Sequence, residues 1–339
     1  MKRTLIACVA VAALLAGCAD APTPVNAPAD PELAASPTRE VLPLPPDATL
    51  QDAEGTESTE STEAEPYVPQ RLQWEGSLNP RVAEQDTPNL DRIRDRGRLV
   101  VGIDQSLYLI AYRDTASGTL QGLEVDLARA IADDIFGDAA GADRVDLRFV
   151  DSAARTDALN TGDVDVVIRT MSITPERAGE VEFSTPYLTS RVRVLVPRDR
   201  GVADINQLGG KTVCIVDGTN LDQIARTFAP HSALLRTRSW SDCLMATQQF
   251  QADAVMADDA ILAGLAAQDP YASILPGTLA TQYYGVAVGK GQGDLVRQVN
   301  ATLERMRNDG TWSELYGTWL GGSIAESSPP PLMYRKEEQ

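Results

Sequence analysis

Val164-Asp165-Val166-Val167-Ile168-Arg169-Thr170-Met171-Ser172-Ile173-Thr174-Pro175-Glu176-Arg177, running on to Val181-Glu182-Phe183-Ser184-Thr185-Pro186-Tyr187, is the stretch that decides how this chain folds. A buried apolar run gives way to small hydroxyl residues and then to a helix start. Thr174 can cap that helix, Pro175 suits its first position, and Glu176 favours its positive end. Free backbone N–H groups beside the forked guanidinium of Arg177 make a carboxylate site. An ordinary capped helix with a surface Arg has the same local sequence, so the surrounding residues must choose between the two.

Composition narrows the field. The chain has 339 residues, 43% hydrophobic and 23% charged, enough for one large or two moderate globular domains. Its net charge of -18 argues against nucleic acid, because phosphate binding needs a basic face. An acidic ligand would need positive charge gathered locally, which makes each Arg near a cleft informative. The single His, His231, follows a Pro and reads as a surface loop residue. It leaves no His triad or His metal cluster, and no metal or cofactor is expected.

The start of the chain reads as an export signal. Met1-Lys2-Arg3 is basic, and residues 4–15 are apolar but too short to span a bilayer. Leu15-Ala16-Gly17-Cys18 resembles a bacterial lipobox, with residues 1–18 as signal peptide and Cys18 lipidated; a plain signal peptide is the alternative. Several acyl chains on Cys18 would anchor the protein stably. Export places the rest in an oxidising compartment. Cys8 leaves with the signal, so Cys214 and Cys243 are the remaining pair, a disulfide or else two buried thiols. Residues 19–89, rich in Pro, Thr and Glu, read as a disordered acidic tether.

Beyond it, strands and helices alternate, which predicts an α/β fold with a mostly parallel sheet. Residues 98–104 read as a buried strand ending in Asp104. Residues 123–132 keep helical spacing, 145–150 alternate as a strand, 156–161 are helical and 164–168 are a strand. A second α/β set follows: strands at 191–197 and Thr212–Val216, a helix at 242–251, strands at 254–257 and 284–288. Helices at 295–308 and up to Leu320 close it. Residues 323–339 form a Pro-rich tail.

Five ordered blocks carry a family resemblance: the 98–104 strand, Gly122-Leu123-Glu124-Val125-Asp126-Leu127-Ala128, the 170–177 run, Phe183-Ser184-Thr185-Pro186-Tyr187 and Gly310-Thr311-Trp312. Over about residues 90–320 the chain resembles periplasmic amino-acid-binding proteins, the family-3 extracellular solute-binding type. Trp240-Ser241-Asp242-Cys243-Leu244, the run from Asp258 to Leu265 and the run from Thr302 to Trp312 make it most similar to actinobacterial GlnH-type lipoproteins. That resemblance implies a type II periplasmic-binding-protein fold, with two parallel-rich sheets in two lobes joined by a two-strand hinge. Lobe 1 would be 90–187 plus 286–322, lobe 2 would be 192–281, and the crossovers would fall near 188–191 and 282–285. Binding at the carboxyl ends of strands is also the general expectation for open α/β sheets.

The resemblance also implies a site. Arg177, helped by the Ser172 hydroxyl, matches the α-carboxylate position. Asp258 and the Thr170 carbonyl match the ammonium position, and Asp104 matches a cleft acid of glutamine-binding members. Arg155 lies where glutamate- and aspartate-binding relatives hold the distal carboxylate, with Arg113 and Arg169 as further positive candidates. Thr219 and Asn220 sit where lobe 2 closes on the ligand. Bidentate Arg pairing favours Glu or Asp, a bare Asp104 opposes them, and the choice among Glu, Asp, Gln and Asn stays open. The implied function is a monomeric, non-enzymatic receptor. It would serve an ABC permease, or a membrane sensor upstream of a Ser/Thr kinase, and the alternative is a dehydratase-like enzyme on the same fold.

Overall fold

In the computed structural model, which describes residues 42–53, 74–82, 86–137, 144–324 and 328–337, the apolar runs of the sequence occupy two separate sheets. The first has five strands, in the order Val145–Phe149, Leu99–Ile103, Val166–Val167, Ala287–Val288, Glu182–Phe183. Leu99–Ile103 is buried at every position, which explains its unbroken apolar sequence. The helix Leu123–Phe136 turns Val125, Ala128, Ile131 and Ala132 inward. A small antiparallel sheet, Ser106–Leu107, Ala111–Arg113 and Leu120–Gln121, belongs to the same lobe.

The second sheet has seven strands. Thr49–Gln51, Ala233–Thr237, Thr212–Val216, Ala254–Asp258, Leu188–Pro197 and Ala272–Ile274 lie in that order, and Ala280–Tyr284 also pairs with Leu188–Pro197. Between residues 183 and 288 the chain crosses between the sheets twice, from Phe183 into Leu188–Pro197 and from Ala280–Tyr284 into Ala287–Val288. The crossing strands run antiparallel, with Leu188 opposite Tyr284 and Ser190 opposite Gln282.

Both sheets are mixed, with parallel pairs in each. In the larger one, Thr212–Val216 is parallel to both neighbours, but Leu188–Pro197 runs against all three of its own. The β-α-β units all point back toward the cleft, ending at Val216, Thr237 and Asp258. A strand that enters from the other lobe must run the opposite way. For the same reason the expected 284–288 strand is two strands, one in each sheet, with Gly285-Val286 between them.

The stretch 19–89 is also corrected in part. Thr49–Gln51 pairs with the edge of Ala233–Thr237, and the Gln51 amide oxygen accepts from Arg226 at 2.6 Å and Arg236 at 2.8 Å. Ser77 and Leu78 are buried; the Ser77 hydroxyl donates to the Phe183 carbonyl at 2.6 Å, and the Asn300 amide donates to Ser77 Oγ and the Leu78 carbonyl. A folded helix already begins at Pro88. Short docked pieces vanish in a composition average, because each uses only a few backbone groups. The C-terminal tail closes over the same place, with Tyr334 bridged to Ser77 and Glu337 paired with Arg297. The signal peptide and Cys18 lie outside the described residues. No helix among the described residues is long and apolar enough to cross a membrane.

A disulfide joins Cys214 on its strand to Cys243 on the helix Trp240–Gln248, with both residues fully buried. Closing that loop is worth about 3–4 kcal/mol on the chain-entropy account.

Candidate functional site

One wall of the cleft comes from residues 152–177. Where Val166–Val167 ends, the chain turns out of its sheet through Arg169-Thr170. Thr170 adopts φ 41°, a left-handed conformation that is costly for a β-branched residue. The peptide between Arg169 and Thr170 is held at both ends. Its N–H donates to Glu124 Oε1 at 2.6 Å, and its carbonyl accepts from Arg155 Nη1 at 3.2 Å.

Arg155 opens the helix Arg155–Asn160 and is only 3% exposed. Its Nε donates to the Ser152 carbonyl at 2.7 Å, and its Nη2 reaches the Gly218 carbonyl of the other lobe at 3.0 Å. Arg177 sits in the first turn of Pro175–Glu180, where its N–H donates to the capping Thr174 hydroxyl at 3.2 Å. Its Nη1 donates to the Ser172 carbonyl at 3.0 Å, and its Nη2 donates to the same Gly218 carbonyl at 3.2 Å. Two guanidiniums thus converge on one oxygen.

The facing wall is built from strand ends. After Val216 the chain turns through Asp217-Gly218-Thr219-Asn220. The Thr219 hydroxyl donates to the Val216 carbonyl at 2.6 Å, and the Asn220 amide donates to Gln282 Oε1 at 3.2 Å. Asp258 ends Ala254–Asp258 and is 4% exposed, and its Oδ1 has no hydrogen-bond partner among the described residues. The lobes meet closely at two glycines. Gly218 has φ 69°, and a Cβ there would lie 2.5 Å from the Ala153 Cα. A Cβ on Gly264 would lie 2.3 Å from the Tyr108 carbonyl oxygen. An Arg238–Asp151 ion pair at 2.8 Å adds a third contact between them.

Two adjoining cavities lie between the walls. The inner one, about 10 Å³, is lined by Thr170, Ser172, Trp240, Asp258 and Ile261 among others. The outer one, about 270 Å³, reaches Met171, Glu176 and Glu180. Ser152, Arg155, Arg177, Thr219 and Asn220 border both. The inner cavity has room for about one water, so an amino acid must enter while the lobes stand apart and extend into the outer cavity once they close.

The electrostatics of the two walls oppose one another. Burial holds Arg155 well below the usual guanidinium range, and the Arg177 and Arg169 charges add to that. Burial also lowers Arg177, with Glu176 and Asp258 acting in the other direction. Burial raises Asp258 to about 7, against the opposing pull of the Tyr284 hydroxyl and Arg177. An anion beside the arginines and a cation beside Asp258 would each relieve a desolvated charge.

Of the sequence candidates, Arg155, Thr170, Ser172, Arg177, Thr219, Asn220 and Asp258 line one cavity. Asp104 and Arg169 stand behind it, both 1% exposed and paired with each other at 2.6 Å. Arg169 also donates to the Ser152 hydroxyl. Asp104 is therefore not a bare carboxylate in the cleft. Arg113 does not join the group: it is exposed and donates to the Gly118 carbonyl and to Gln105. The sequence reading missed Glu124, Ser152, Gly218, Trp240, Gln282 and Tyr284 as site residues. Gly218 left a signal in its turn motif; Glu124, one of two acids with Asp126 in the first turn of its helix, left one that looks like simple helix-end charge complementarity.

The family described as Bacterial extracellular solute-binding proteins, family 3, matches residues 99–322. The chain belongs to this family. The ABC transporter glutamine-binding protein GlnH of Bacillus subtilis is 32% identical over 252 residues, covering 74% of this chain and 91% of that protein. The glutamate-binding protein GluB of Corynebacterium efficiens is 28% identical over 242 residues, covering 65% and 79%. The crystal structure of the solute receptor for L-cysteine of Neisseria gonorrhoeae superimposes with a TM-score of 0.65 at 27% identity, covering 71% of this chain and 97% of that one. The two-lobe architecture is the periplasmic-binding-protein fold shared by this family-3 solute-binding group. Within the described residues, no group of three or more His, Cys, Asp or Glu is placed to hold a metal.

Proposed function

We propose that this solute-binding protein takes an acidic amino acid, glutamate or aspartate, between its lobes, and binds the corresponding amides more weakly. The observation that carries this is the convergence of Arg155 and Arg177 on the single Gly218 carbonyl oxygen. A carbonyl is a weak acceptor for two guanidiniums, and a carboxylate in its place makes stronger, charge-assisted bonds. In this reading the α-carboxylate meets Arg177 and Ser172, and the side-chain carboxylate meets Arg155. The ammonium meets Asp258 Oδ1 and the Thr170 carbonyl, while Thr219 and Asn220 close over the ligand. The Asp104–Arg169 pair supports acid selection, since its charges cancel behind the Ser152 wall. Two arginines without a carboxylate partner, Arg155 and Arg177, then face Asp258 and Glu124, both of which carry raised pKa values.

A ligand that touches both lobes favours their approach and shifts the population toward closure. The relative named as an ABC transporter glutamine-binding protein supports delivery to a permease as the use of the closed form. The sensing route through a membrane partner, and lipid anchoring at Cys18, draw on the sequence resemblance. Isothermal calorimetry of the body from residue 43 onward, against all common amino acids, tests the reading. Heat and 1:1 stoichiometry with glutamate or aspartate are expected, with a thermal-shift gain that grows with ligand concentration. No heat and no shift with either acid would sink it.

A further inference from the structure

Glu124 lies outside the cavity, is fully buried, and is the only carboxylate on the Arg169–Thr170 peptide among the described residues. Its Oε1 accepts from the Thr170 N–H and from the Tyr187 hydroxyl at the start of a crossing strand. Its Oε2 has no hydrogen-bond partner among the described residues. The other end of the same peptide, the Arg169 carbonyl, accepts from Arg155. A trans peptide is a rigid plane, so the N–H direction fixes the carbonyl direction. Thr170 holds φ 41° only because its surroundings enforce it, and Glu124 supplies the acceptor that does so.

We propose that Glu124 is a positioning residue for ligand recognition, aiming the Arg155 guanidinium through the Arg169–Thr170 peptide without touching the ligand. The assignment rests on the acidic-amino-acid reading. Without Glu124 the Thr170 N–H loses its buried acceptor, the peptide is free to rotate away from the left-handed form, and Arg155 loses one of its three carbonyl partners. Groups facing Glu124 are Tyr187, the Thr170 N–H, and the charges of Arg169, Asp104 and Arg155. Burial raises the Glu124 carboxyl to about 7, so its acceptor strength varies across neutral pH.

A double-mutant cycle on glutamate affinity tests this. Wild type, Glu124→Ala, Arg155→Ala and the double variant are compared by calorimetry at pH 8. Glu124→Ala should weaken glutamate at least tenfold and glutamine less. The double variant should bind no worse than Arg155→Ala, because the two residues act as one unit. Glu124→Gln, which keeps an acceptor for Thr170, should stay within about threefold of wild type. Thr170→Gly, for which positive φ carries no strain, should shrink the effect of losing Glu124. If Glu124→Ala folds poorly, Glu124→Leu, which keeps the buried volume but offers Thr170 no acceptor, carries the test against Glu124→Gln, read as the ratio of glutamate to glutamine affinity. Additive losses in the cycle, or a ratio in the acceptor-free variant equal to that of wild type and Glu124→Gln, would overturn the assignment alone. Wild-type protein that binds neither acid overturns the receptor reading and this assignment with it.

Discussion

The two walls of the cleft are built on opposite principles. On the Arg155–Arg177 side, the guanidiniums already hold carbonyl partners: Ser152, Arg169, Ser172 and Gly218. On the Asp258 side, Gln282 Nε2 is buried without a hydrogen-bond partner among the described residues, and Asp258 Oδ1 and Tyr284 Oη influence one another without a well-formed hydrogen bond. One wall is pre-satisfied and rigid, and the other stores unspent bonding capacity. Recognition of an amino acid then has two energetic characters. The carboxylate end must outcompete existing bonds, which gives selectivity. The ammonium end fills buried groups that have none, which gives affinity.

The harshest way to break this comparison is to remove the pre-satisfied wall. Arg177→Ala should cost about 2–5 kcal/mol in ligand binding, at least about thirtyfold, because it strands a desolvated carboxylate. Calorimetry showing unchanged affinity would mean Arg177 is only a helix-end residue.

The opposite wall gives the next effect. Asp258→Asn should cost about 1.5–3 kcal/mol, the usual worth of a bond to a charged group. Asp258 must be ionised to hold an ammonium, and its carboxyl sits at about 7 in the free protein. Wild-type affinity should therefore fall as pH drops below 7, by up to about tenfold per unit, with proton release on binding. The Asp258→Asn protein should keep only the shallow dependence, within about threefold, that Glu124 contributes; a profile like wild type would move the titrating group elsewhere.

The approach of the walls can be blocked without touching either set of charges. Gly218→Ala places a left-handed Cβ against the Ala153 backbone. The conformational cost alone is about 1–2 kcal/mol. Small-angle scattering should show a ligand-induced decrease in radius of gyration for wild type and a smaller decrease for this variant. Equal decreases would show that Gly218 does not limit closure.

The mildest effect is on the ligand-free protein. Asp258 and Glu124 both sit at about 7 when folded, above ordinary carboxyl values, so the folded state binds more protons than the unfolded one between those limits. Stability should rise as pH falls from 8 toward 5, by a few degrees of melting temperature, roughly. Carboxyls held low in the fold, such as Asp114 and Asp309, act only at lower pH. A melting temperature that falls steadily from pH 8 to 5 would contradict the two raised values.

Much of this was legible in the sequence, for local reasons. The Thr174 cap, the strand ends at Asp104 and Asp258, and the Cys214–Cys243 pair each depend on a few neighbouring residues or on compartment. What escaped depends on distant partners. Nothing near Glu124 announces that its carboxylate meets a peptide 46 residues away. Arg169 and Asp104 read as separate cleft candidates, although 65 residues apart they cancel one another. The antiparallel pairs that accompany the parallel ones depend on which lobe the chain enters from, and no local pattern records that.

The strand Thr49–Gln51 has a consequence for behaviour in concentrated solution. Without it, Ala233–Thr237 would be the bare margin of the seven-stranded sheet, a row of unpaired backbone groups able to recruit another molecule. Three residues from a stretch that reads as spacer seal that margin. A molecule trimmed past Gln51 would keep its fold and its cleft, but would expose an adhesive seam to every copy around it.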